Sequence, residues 1–157
     1  MKAPEVLFWS VALPGFGQLL NGKIVKGFIL IGLEILINVM GNLNELIIFS
    51  FYGQMEMAVD AANFQWLMFY PCLYFFAIWD AFRDAGGDQK PYSFLPFVFS
   101  AYFVTIGTIY SSSFTLFQVL LGPVWLPILS VVPGLATGFL LQWLITKAKN
   151  KPSSVSN

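Results

Sequence analysis

Hydrophobic and polar positions divide the chain into long apolar runs separated by short polar breaks. A helix rises about 1.5 Å per residue, so a hydrocarbon core of about 30 Å takes roughly 20 mostly apolar residues. Runs of about that length cover residues 24–44, 64–82, 94–110 and 124–146. The first contains Glu34 and Asn38, and Asn63 stands before the second as a candidate N-cap. The fourth is expected to bend at Pro127 or Pro133. Gly122-Pro123 separates it from residues 114–121, which are expected to form a short helix at the outer surface. Residues 6–20 reach only about 22 Å and are interrupted by Pro14-Gly15, so they are expected to lie in the interface or re-enter it rather than cross. A signal peptide is the competing reading there, since Lys2 precedes the apolar residues and Ser10-Val11-Ala12 is a small-x-small triplet. Its apolar core is shorter than the roughly 7 to 15 residues such a signal needs. The pattern predicts an all-α integral membrane protein with four transmembrane helices plus an N-terminal interfacial or re-entrant helix. Residues 1–146 form its single helical membrane domain.

Charge then orients the spans, because cytoplasmic loops retain Lys and Arg. If residues 6–20 do not cross, Lys2, Lys23, Lys26, Arg83, Lys90, Lys147, Lys149 and Lys151 all share one side. Residues 45–63 and the Ser111-Ser112-Ser113 turn carry no basic residue. Both termini are therefore expected in the cytoplasm of a cell-membrane protein, and the polar tail of residues 147–157 is expected to be disordered.

Composition narrows the chemistry. Charged residues are 10% and hydrophobic residues 57% of the chain, against roughly 25% charged in a soluble domain. Eight basic residues balance eight acidic ones, leaving no excess to hold a nucleic-acid backbone. His is absent and Cys72 is the single cysteine, which removes the commonest general base, the commonest metal ligand and any disulfide within the chain. No cofactor and no metal is expected. Cys72 lies mid-span, where an apolar setting favours the neutral thiol.

Three polar constellations remain. Gly15, Gly17, Gln18, Asn21, Gly22, Lys23 and Lys26 form a glycine-rich turn feeding a helix. It reads either as a structural turn or as a site where helix-start N–H groups and lysines bind an anionic headgroup. It lacks the Gly-Lys-Ser/Thr ending of a Walker A loop. Gly27, Ile31, Glu34, Asn38, Gly41 and Glu45 step by three or four and share one helix face. Glu34 with Asn38 is there either an interhelical packing contact or a proton or cation relay. Asp80, Arg83 and Asp84 form an interfacial charge cluster, with Asp80 placed to meet Lys23 or Lys26 across a hairpin.

The run Pro14-Gly15-Phe16-Gly17-Gln18, the turn Asn21-Gly22-Lys23, the pair Lys26-Gly27 and the later Trp79-Asp80-Ala81-Phe82-Arg83-Asp84-Ala85 carry a resemblance. Over about residues 10–86 the chain resembles the TM2-domain-like small bacterial membrane proteins. It departs from their pattern in a longer loop between the paired helices and in Leu20, where an aromatic commonly stands. The resemblance implies a membrane helix hairpin and no reaction.

The leading expectation is a multi-pass membrane protein without catalytic activity, acting as an accessory or scaffold by binding membrane lipids, a membrane-protein partner or a second copy of itself. The alternative is a small oligomeric proton- or cation-coupled transporter or channel subunit using Glu34. An intramembrane enzyme is disfavoured because no nucleophile is paired with a base.

Overall fold

The computed structural model describes residues 2–149. The chain is mostly helical, as its apolar runs dictate. In order it forms α1 (Ala3–Ala12), α2 (Phe16–Leu20), α3 (Ile24–Met40), α4 (Leu43–Phe51), α5 (Met55–Ala61), α6 (Phe64–Leu67), α7 (Tyr70–Asp84) and α8 (Leu95–Tyr110). Two short strands, β1 (Thr115–Leu116) and β2 (Val119–Leu120), precede α9 (Gly122–Lys149). By length and composition α9 can cross a membrane, and α3 with α4 meets the same test as a pair bent by 62°.

Two antiparallel hairpins form the frame. In the first, α3 lies along α6 and α7: Lys26 meets Asp80, and the Asn63 N–H donates to Gly41 O at 3.4 Å. In the second, α8 lies along α9, with Gly107 against Ser130, Gly134 against Ser100 and Gly138 against Pro96. The frame is joined where Trp79 of α7 packs on Phe94 and Phe97. At the far end Leu46, Ala58, Leu67 and Val124 form a small buried cluster from α4, α5, α6 and α9.

Several boundaries differ from expectation, each for a local reason. The first run stops as a helix at Met40, because Gly41 fits against Leu67 and Asn42 adopts a left-handed φ of 55°. Glu45 thereby leaves the face it was expected to share with Glu34. Residues 45–63 are not a plain loop, since α4 and α5 occupy most of them and pack on α9; Trp125 Nε1 donates to Ser50 O at 3.2 Å. The second run is broken between α6 and α7, as Pro71 has no N–H to offer Leu67 O. Asn63 stands at the N-cap of α6, but its side chain makes no capping bond.

Residues 114–121 do not form the expected surface helix. They form a β-hairpin pairing Thr115 with Leu120 and Leu116 with Val119. Its two-residue turn, Phe117-Gln118, has φ of 51° and 66°, the double left-handed geometry that matches strand twist. A stretch of eight residues, six of them apolar, without a Gly or Asn turn signal is ambiguous between helix and strand, which is why the pattern misled. The α9 helix runs without interruption through Pro127 and Pro133, and it extends to Lys149, past the expected start of the tail at Lys147. Residues 150–157 of that tail lie outside the described residues.

Candidate functional site

The glycine-rich turn and the charge cluster, separate in sequence, make one site. Gly15 begins it with a φ of 95°, and a Cβ there would lie 2.6 Å from Gly27 O and 2.9 Å from Ile31 N. Only glycine lets the start of α2 lie so close to the α3 backbone. Gly27 in turn leaves room for Leu19, and Gly17 sits against Ser10 and Ala81. The short helix α2 is thus wedged between α1, α3 and α7.

That wedge delivers polar side chains to α7. Gln18 is fully buried, and its Nε2 donates to Ala77 O at 2.8 Å and to Asp80 Oδ2 at 3.1 Å. Asn21 Nδ2 donates to Ala81 O at 2.8 Å. Lys26 Nζ reaches both Asp80 oxygens, at 2.9 and 3.1 Å, and Asp84 Oδ2 at 3.2 Å. Arg83 Nη2 donates to Asp80 Oδ1 at 2.9 Å. Asp80 is only 3% exposed, whereas the Lys26 and Arg83 side chains are about half exposed. A buried carboxylate is therefore neutralised by two cations arriving from outside and by one buried amide. Its lone pairs are taken, so the arrangement acts as an anchor rather than as a general base.

Of the two lysines expected near Asp80, it is Lys26 that meets it; Lys23 is exposed at the N-cap of α3. Gly22 has a φ of 74° and open space around it, so it serves the turn and not the packing.

Glu34 lies two turns further along α3. Its hydroxyl-bearing neighbour is Tyr70 of α7, and its Oε2 is buried without a hydrogen-bond partner. Asn38 is not paired with Glu34 as expected. Its Nδ2 donates to Asn44 Oδ1 at 3.4 Å, because the bend after Met40 folds α4 back toward it. One turn along α7 from Tyr70, the Tyr74 hydroxyl donates to Val11 O at 2.6 Å and ties α1 down. Among the described residues no three His, Cys, Asp or Glu side chains come together as a metal ion would need.

Sequence reasoning passed over Tyr74, whose role depends on what faces it. It also passed over Gly134 and Gly138, although their small-x-x-x-small spacing on an apolar helix was a legible packing signal. No family model, curated protein or solved structure matches the chain. The resemblance to TM2-domain-like proteins accordingly rests on the motif residues themselves.

Proposed function

We propose that the chain is a multi-pass protein of the cell membrane, without catalytic activity, that binds other membrane proteins or lipids in an accessory or scaffold role. One observation carries this reading: the outward faces of the long helices are apolar along their length. Val25, Phe28, Ile29 and Val39 of α3 and Val132, Phe139 and Leu140 of α9 are all exposed. Soluble monomers rarely leave contiguous apolar patches beyond a few hundred Å². The four spans are α3, α6 with α7, α8, and α9. The helices α1 and α2 are a re-entrant pair: Val11 is held by Tyr74, ten residues or about 15 Å short of Asp84 along α7, while Asn21 has returned to Ala81. Lys26 and Arg83 gather at Asp80, and Lys149 Nζ sits 5.1 Å from the Tyr92 ring centroid beyond the end of α7. This clustering supports one cytoplasmic end holding both termini. The motif likeness supports placing the α2, α3 and α7 unit with the TM2-domain-like hairpins. The satisfied Asp80 anchor favours binding over catalysis.

Topology is the test. In a background with Cys72 replaced by Ala, cysteines introduced at Gln54 and Ser112 should react with an impermeant thiol reagent in intact cells, and one at Asp88 should not. Labelling at Asp88, or none at Gln54 and Ser112, overturns the arrangement.

A second reading, an oligomeric proton- or cation-coupled transporter or channel subunit, is favoured by the buried, partnerless oxygen of Glu34. Glu34→Gln separates the two. Under the binding reading, abundance, detergent stability and cellular phenotype stay close to wild type; loss of function in a folded, abundant variant supports coupling through the charge.

A further inference from the structure

A groove of about 630 Å³ opens between α1, α7, α8 and α9, within the roughly 300 to 1,000 Å³ of ordinary ligand sites. Building on the membrane reading above, we infer that it holds one acyl chain of an anionic phospholipid, with the headgroup at Lys90.

The lining is polar at one end and apolar along its walls. Gln89, Lys90, Ser93 and Gln142 meet at the polar end, and the walls include Phe8, Ile78, Leu135 and Phe139. Among the described residues that line the groove, Lys90 alone is charged, and no salt bridge among the described residues neutralises it. Gln89 Nε2 donates to Gly86 O at 3.1 Å and Gln142 Nε2 to Pro91 O at 2.9 Å. Those bonds brace the loop between α7 and α8. Among the described residues the Lys90 ammonium and the Ser93 hydroxyl make no hydrogen bond to protein, and both are donors that a phosphodiester oxygen accepts from.

Depth argues for a chain and against a soluble anion. Tyr74, Phe75 and Val131 also line an adjoining cavity of about 280 Å³ that reaches Thr108. From Pro96 in the groove to Thr108 in the adjoining cavity is twelve residues of α8, about 18 Å. Half of a hydrocarbon core is about 15 Å. The apolar path therefore runs the depth of one leaflet from a cationic mouth, which is the shape and charge of a single lipid chain under an anionic headgroup.

The test uses the full chain in phosphatidylcholine vesicles containing a minor fraction of a probe lipid with a diazirine near the end of one acyl chain. The probe is either phosphatidylglycerol or phosphatidylcholine, and labelled residues are mapped after irradiation. The phosphatidylglycerol probe should label α9 around Val131 and Leu135 about fivefold more than the phosphatidylcholine probe, the scale of one lysine at an anionic surface. Both probes should label the outward face of α3 around Phe28 equally. Lys90→Gln should remove the preference, and Leu135→Trp should remove groove labelling by either probe while sparing α3. Excess glycerol 3-phosphate should change nothing. Equal labelling of the wild-type groove, a preference that survives Lys90→Gln, or competition by glycerol 3-phosphate overturns the proposal. Absence of label on α3 as well would overturn the membrane reading itself.

Discussion

Where α2 and α3 meet α7, side-chain hydrogen bonds from Gln18, Asn21, Lys26 and Arg83 converge on two backbone carbonyls and one buried carboxylate. Where α8 meets α9 there is no such network among the described residues. The hydroxyls of Thr105, Thr108 and Ser130 bond back to carbonyls of their own helices, and Gly107, Gly134 and Gly138 bring the two backbones together. In lipid, apolar side chains gain little by meeting one another rather than lipid tails, so helices associate through close packing or polar bonds. This chain uses polar bonds in one hairpin and close packing in the other. The difference has a consequence for register. Sliding α3 by one turn, about 5.4 Å, would take Lys26 away from Asp80 and leave a buried charge behind. Sliding α9 by one turn would bring Gln142 against Pro96 or, in the other direction, Ser130 against Ser100, where glycine now lets the backbones touch.

The comparison breaks most sharply at Gly138. A side chain there meets the backbone of Pro96, which cannot rotate away, so Gly138→Leu should separate α8 from α9. The expected loss is about 3 kcal/mol or more, the upper end of overpacking effects, read as collapse of detergent thermal stability and of membrane abundance. Wild-type stability in that variant would show that glycine contact does not hold the second hairpin.

A smaller effect is expected at Asp80. Asp80→Ala leaves Gln18 Nε2 with Ala77 O alone, Lys26 with Asp84 alone and Arg83 without its hydrogen-bond acceptor, at about 1 to 2 kcal/mol, because the cations can turn to water and the amide keeps one bond. Asp80→Asn should recover part of the loss by keeping an acceptor oxygen. A thermal-shift series on wild type, Asp80→Asn and Asp80→Ala should descend in that order; equal values for all three would remove the polar anchor as the basis of the first hairpin.

The smallest effect sharpens the contrast from the other side. Ser100 lies at the α8 and α9 contact with its Oγ buried and unpartnered. Ser100→Ala should therefore change stability by less than about 0.5 kcal/mol. A clear loss would reveal a polar bond in the hairpin described as having none.

The long helices were legible from the long apolar runs, and α8 and α9 begin and end within a few residues of expectation. The charges of the anchor were legible as two clusters, since Asp80, Arg83 and Asp84 share one helix face by spacing alone. The meeting of Asp80 with Gln18, and of the Ala81 carbonyl with Asn21, was not, because a contact across more than fifty residues depends on how deep α2 is wedged, and glycine marks only where approach is allowed. The pairing of Glu34 with Asn38 failed for the same reason. Periodicity predicts a face only while the helix continues, and the bend at Gly41-Asn42 sent Asn38 to Asn44 instead. By itself the sequence determined where long apolar helix forms and which charges share one helix face, both of which follow from local chemistry. Only the tertiary structure decided which polar groups find partners and where a groove stays open, since those outcomes depend on distances between segments that are remote in the chain.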